Sequence, residues 1–240
     1  MKEIPILFST AMVQAILEGR KSQTRRLVKW PKVPTWHDED YAPNTVERRG
    51  DGPWWPSFNH RCGAKDISGP LKCPYGNPGN ILWVRETWGV GCRPDPFQGS
   101  VDGIEYKADA KFIDDVESLP LHQYEDFDYG NYDKSGWYPS IHMPKAISRI
   151  WLQVESVRVE RLQDISEEDA KAEGVERLKG AQWKDEATGV FRDYTHRDAF
   201  ELLWEEINGA DSWDANPCVW VVSFKILSTT GKPQSLTEAK

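Results

Sequence analysis

The sequence predicts an α+β fold, and three observations predict it. Apolar runs of strand length recur far apart, at residues 6–8, 81–84, 150–159 and 219–224. Amphipathic patterns of helical period occupy residues 11–18 and 195–208, and a capped acidic start lies at 166–169. Two long stretches lack a sustained period and read as insertions: about 31–78, rich in Pro, Gly, Trp and charge, and about 89–136, acidic and aromatic. The expectation is one domain over residues 1–228 with a flexible tail at 229–240.

Residues 5–26 hold a strand, a helix and a polar cluster. After Ile6, Leu7 and Phe8, Ser9 or Thr10 offers a side-chain oxygen to cap a helix that begins near Ala11. Met12, Val13, Ile16 and Leu17 recur at helical spacing, and Gly19 supplies a left-handed stop. Next come Arg20, Lys21, Ser22, Gln23, Thr24, Arg25 and Arg26, too polar for a core strand. On a strand Lys21 and Thr24 face opposite sides, so a working Lys21/Thr24 pair requires a bend.

The first insertion contains Trp30, Trp36, Trp54, Trp55 and Phe58, which suit either a lid or a small packing cluster. Pro78, Gly79 and Asn80 form a turn before the strand at Ile81, and Glu86 shares parity with Leu82 and Val84. A carboxylate pointing that way needs a partner or a proton, and Arg26, Arg85 or Arg149 can supply the charge. In the second insertion only residues 103–110 suggest a strand. Two prolines hold Ser140 and His142 in a bend, where His142 either lines a pocket beside Trp137 or is structural. The strand at 149–161 shifts parity near Ser156, as a bulge would cause. Ser166 caps the following helix with Asp169 at the capping-box position, and Gly174 stops it. Phe200, Leu203, Trp204 and Ile207 form one face of the helix that ends at Gly209.

Net charge is −8, against a surface that grips long duplex, yet residues 1–30 carry six Lys or Arg against two Glu. A basic mouth on an acidic body suits a nucleoside or a short single strand. Twelve tryptophans exceed what a core of this size uses, so some rings are candidates for stacking. Four cysteines without a C-x-x-C pair, no long apolar segment and no signal pattern predict a cytoplasmic protein with reduced thiols and no membrane partner. His60, Cys62 and Cys73 match no standard zinc spacing, so no metal or cofactor is expected, and oligomeric state is open.

Gly19, Lys21, Thr24 and Arg26 stand in a G-x-K-x-x-T-x-R arrangement that resembles the ASCH domain family, a PUA-like β-barrel group associated with RNA and modified nucleosides. Residues 73–88, 137–175 and 212–226 extend the resemblance to the longer ASCH-type proteins of phages and prophages. It implies a PUA-like mixed β-barrel with flanking helices. It also implies, by similarity to small bacterial enzymes that hydrolyse N4-acetylcytidine, a catalytic set of Lys21, Thr24 and Glu86, with Arg26, Trp83, Trp88, Trp137 and His142 binding substrate. Thr24 as nucleophile needs a base. Lys21 can be that base if burial and Arg25 or Arg26 lower its pKa; alternatively Glu86 orients the pair or takes the proton while Lys21 or Arg26 stabilises the oxyanion. Alternatives are a reader that holds a modified base or RNA among aromatic rings, and a ribonuclease with Lys21 and His142 as acid and base.

Overall fold

The computed structural model describes residues 1–30, 45–48, 54–57, 70–97, 99–114, 136–177, 180, 182–184 and 191–236. The N-terminal half runs β1 (Glu3–Leu7), α1 (Thr10–Leu17), β2 (Gln23–Leu27), β3 (Thr45–Arg48), β4 (Trp54–Ser57), β5 (Ile81–Arg85), β6 (Trp88–Asp95), β7 (Gly99–Tyr106) and β8 (Lys111–Asp114). The C-terminal half runs β9 (Trp137–Tyr138), β10 (Trp151–Arg161), α2 (Glu167–Ala172), β11 (Gln182–Lys184), β12 (Phe191–Asp193), α3 (His196–Asn208) and β13 (Cys218–Ser228). This is a mixed α+β fold, and among the described residues neither of its two larger sheets closes into a barrel.

The chain divides into two units. The first comprises Met1–Ser22, Asn77–Glu155 and Phe224–Lys240. In it β1 runs parallel to β5, with Glu3 opposite Ile81 and Leu7 opposite Arg85. β5 pairs antiparallel with the start of β10, Trp83 opposite Trp151. The helix α1 has the expected ends: the Ser9 hydroxyl accepts from the Met12 N–H at 3.4 Å, and Gly19 has φ of +73°. Val13, Ala15 and Ile16 are its buried face.

A second sheet of this unit has the order β8-β7-β6-β9, where the sequence predicted mostly irregular chain. Of this sheet the sequence suggests only a strand at 103–110, where β7 runs over Gly99–Tyr106. At Gly103 a Cβ would come within 2.5 Å of the Ile113 carbonyl oxygen and the Phe112 ring, so glycine is what lets β8 lie against β7. Among the described residues β9 pairs with Trp88 and Gly89 alone, so Pro94 lies outside that pairing. Trp88, Val90, Ile104, Tyr106 and Met143 form the core beneath.

The segment after Ser228, whose composition reads as a loose tail, packs on the first unit as far as residue 236. The Gly231 N–H donates to the Arg149 carbonyl at 2.9 Å, Lys232 pairs with Glu3 at 2.8 Å, and Leu236 joins the cluster of Ile81, Trp83 and Trp151.

The second unit comprises Gln23–Gly76 and Ser156–Ser223. Here β2 pairs antiparallel with β13, Gln23 opposite Ser223 and Leu27 opposite Val219. Thr195 caps α3 through a full capping box with Asp198. Phe200 and Trp204 of α3 pack with Trp213, Leu162, Val219 and Val221, whereas Ile207, expected on the same face, is exposed. Trp30 and Trp54 pack around Val28, Leu71 and Trp220, which gives those two rings a core role, while Trp36 and Phe58 lie outside the described residues. Alternation in β10 breaks at Glu155 and Ser156, both exposed, where a parity shift was expected.

Candidate functional site

The turn that ends α1 delivers Lys21. The N–H groups of Arg20 and Lys21 both donate to the Ala15 carbonyl, at 2.8 and 3.0 Å, so the helix stop fixes the Lys21 backbone. Its side chain is 1% exposed, and Nζ stands 5.6 Å from the centroid of the Phe8 ring. Phe8 in turn donates its N–H to the Arg85 carbonyl at 3.1 Å, one residue before Glu86. Phe8 is thus linked through its ring to Lys21 and through its backbone to the residue before Glu86, within the first unit. Thr24 lies in the second unit, buried in β2 opposite Val222.

Glu86 is 1% exposed, and Arg149 is its partner among the three arginines weighed for it. The Arg149 Nε and Nη2 groups donate to the two Glu86 oxygens, each at 2.9 Å, in a fork that matches a carboxylate. Nη1 donates to Asp109 at 2.8 Å, and the guanidinium carbon lies 4.1 Å from the Tyr106 centroid. Asp109 belongs to the turn between β7 and β8 that sequence reasoning left without a role; proximity to Arg149 in space is the signal, and no local pattern carries it. Burial pushes the Glu86 carboxyl above its ordinary range, with the guanidinium opposing the shift. Burial also acts on Asp109, but the hydrogen bond and charge of Arg149 outweigh it and hold that carboxyl low. Arg149 itself, against its own desolvation, is kept charged by the two acids.

The consequence for Glu86 is chemical. Both oxygens are engaged, which suits a group that orients a guanidinium better than a free base.

The five residues expected to bind substrate are spread widely in their surroundings. Trp88 is fully buried and stacks on Tyr138 with centroids 5.0 Å apart. Trp83 sits in the cluster with Ile81 and Trp151, with the Arg85 guanidinium 5.7 Å from its ring. Trp137 is 46% exposed, and Lys107 Nζ lies 5.9 Å from its centroid, so among the three tryptophans it presents the most ring to solvent. His142 is exposed on the short Ser140–His142 turn, which Arg85 fixes by donating to the Ile141 and Met143 carbonyls. Arg26, partly buried, lies opposite Trp220 in the second unit. The neighbouring Arg25 is the buried cation of β2, bound to Gln23, Glu160, Asp169 and Glu173.

A cleft of about 330 Å3 opens in the first unit beside α1. Gln14 comes from the helix and Glu18 from its cap, Asp109 from the β7–β8 turn, Lys111 from the start of β8, Arg149 from the lead-in to β10, and Thr229 from the segment after β13. Gln14 ties two of these together by donating to the Ala108 carbonyl at 2.7 Å. Thus the cleft meets the expected residues indirectly, through the arginine that holds Glu86.

Among the described residues no three His, Cys, Asp or Glu side chains converge as a metal site, and His60 and Cys62 lie outside those residues. No described helix is long and apolar enough to cross a membrane. Comparisons of the chain with protein-family models, with curated proteins and with solved structures find no match.

Proposed function

We propose that the protein hydrolyses the amide of an N-acylated nucleoside or base of the N4-acetylcytidine kind, using Lys21, Thr24 and Glu86. The PUA-like and ASCH affiliation is part of this proposal and rests on the G-x-K-x-x-T-x-R arrangement. What supports the reading is that two ionisable side chains of the expected set, Lys21 and Glu86, are both buried in the first unit. Burying such groups is costly unless they are partnered, and sites of chemistry are where that cost is commonly borne. With both Glu86 oxygens held by Arg149, Glu86 is assigned the orienting role, and Lys21 acts on the proton of Thr24 or on the developing oxyanion. Thr24 enters through the motif, from the second unit.

One observation favours a second reading, in which the protein binds a modified base or short single strand without turnover: a carboxylate locked in a two-toothed ion pair is built for rigidity. Incubation of the purified protein with N4-acetylcytidine decides between them. Release of cytidine and acetate, lost in Lys21→Ala and Glu86→Ala, is the expected result. Binding without product assigns the reader, and turnover that survives Thr24→Ala removes the covalent step in favour of direct attack by water.

A further inference from the structure

Three properties of the first-unit cleft limit what it can hold. Its volume, about 330 Å3, lies at the small end of ligand pockets and matches a guest of nucleoside size. At its base the single positive charge of Arg149 faces two carboxylates, Glu86 and Asp109, through three hydrogen bonds of 2.8 to 2.9 Å, and the negative charge left over is balanced by Lys111 at the rim. An arriving phosphate would meet those carboxylates, and an arriving cation would compete with a guanidinium already in place. At the rim Glu18 is engaged by Arg20 at 2.7 Å, and Lys111 carries the opposite sign.

Hydrogen-bonding capacity remains where net charge does not. Gln14, exposed at the wall, keeps its amide oxygen and one N–H beyond its bond to the Ala108 carbonyl. The Asp109 side chain, 35% exposed, keeps acceptor capacity, and Thr229 and Lys111 add donors. The wall that carries Thr229 is itself fastened, by Gly231 to the Arg149 carbonyl and by Lys232 to Glu3.

Building on the proposed function, we infer that this cleft is the guest site, that it takes an uncharged guest bearing both hydrogen-bond donors and acceptors, and that Glu86 and Asp109 are positioning residues for Arg149 at its base. The experiment is a 1H–15N titration of the full chain with cytidine and, separately, with cytidine 5′-monophosphate. Cytidine is expected to shift the amides of Gln14, Asp109, Lys111 and Thr229 and the Arg149 Nε signal, and the monophosphate to bind no more tightly. Thr229→Val and Lys111→Ala are expected to weaken cytidine by roughly tenfold, about 1.4 kcal/mol, at an unchanged melting temperature. Glu86→Gln is expected to move the Arg149 Nε signal before any ligand is added, which Thr229→Val does not do. Should Glu86→Gln fail to fold, Asp109→Asn, at the exposed side of the same guanidinium, reports the same effect.

The inference is overturned if cytidine at about 10 mM, a concentration that detects even weak millimolar binding, moves no cleft amide. It is equally overturned if the monophosphate binds more than roughly tenfold tighter than cytidine, or if Arg149 Nε is unmoved in both carboxylate variants. Cleft binding without release of acetate from N4-acetylcytidine removes the hydrolase and leaves the site. Turnover accompanied by shifts only around Lys21 and Thr24 does the reverse.

Discussion

Each unit buries an arginine among acids, and the two arrangements differ in how the charge is shared. In the first, Arg149 and Glu86 are equally buried at 1% exposure, so the pair depends on itself, with Asp109 as a half-open third member. In the second, Arg25 binds Glu160 at 2.5 Å, Asp169 at 3.0 Å and Glu173 at 3.2 Å, and a second cation, Arg158, holds Glu160 at 2.9 Å and Asp169 at 2.8 Å. Two cations among three acids spread the load, and two of those acids still reach solvent. A concentrated pair beside a cleft fixes one dipole in one direction, whereas a distributed network fastens α2 to β2 and β10. The difference separates a group poised to meet a guest from a group that holds a fold.

The sharpest way to break that contrast is to remove one cation from each. Arg149→Met leaves Glu86 buried with no counter-charge, and a loss of about 3 to 5 kcal/mol in urea unfolding is expected. Replacing the partner as well, in Arg149→Met/Glu86→Leu, restores much of that loss, because an apolar pair of similar volume carries no desolvation cost. A double variant no better than the single one would show that Asp109 and Tyr106, rather than Glu86, set the worth of Arg149.

The elements around this pair were unequally legible in the sequence. The β1–α1 turn follows from local chemistry, since Ser9 and Gly19 cap a helix whatever lies around it. Parity pointed Glu86 inward and named Arg149 among three partners, but the choice depends on the register of β5 against β10, set by Trp83 and Trp151 nearly seventy positions apart. Asp109 was missed because the pattern at 103–110 read as a strand, whereas the strand ends at Tyr106 and Asp109 sits in the turn that follows. In β2 the alternation separates Arg25 from Arg26 without saying which face is covered, and α2 and Phe200, the latter 5.8 Å from the Arg25 guanidinium, make that decision. Of the β6–β8 meander only the strand at 103–110 was suggested, and the role of Gly103 as the place where β8 lies close depends on a strand not visible locally.

Arg25→Met is expected to cost less than Arg149→Met, about 1 to 3 kcal/mol, because Arg158 still serves Glu160 and Asp169. Burial raises the Asp169 carboxyl, and Arg158 and Arg25 together more than reverse that. In the variant its titration, followed by carboxyl 13C shifts, moves upward. The stability this acid contributes is present above its unfolded pKa and fades as pH falls through the lower folded one, so the variant also loses acid resistance. An equal cost at Arg25 and Arg149 would mean that sharing a network brings no relief.

The smallest effect tests the exposed limit of the same comparison. Glu167, at the start of α2, accepts from the His196 N–H at 3.0 Å, from His196 Nδ1 at 2.7 Å and from the Arg197 N–H at 3.1 Å, so it caps the first turn of α3. Its slight burial pushes the carboxyl up, and those donors overcome it and bring the pKa down to about 2. The sign follows: its stabilisation is complete above the ordinary value near 4.5 and drains away as pH falls toward 2. With 35% of the side chain exposed, water screens the pair, and Glu167→Gln is expected to cost no more than about 1 kcal/mol at neutral pH. The gap between variant and parent should narrow as pH falls from 4.5 toward 2, where the carboxyl is protonated first in the unfolded chain and then in the folded one. A gap that is constant with pH would assign the cap to hydrogen-bond geometry alone, and a cost rivalling that of Arg149→Met would refute burial as the quantity that ranks these ion pairs.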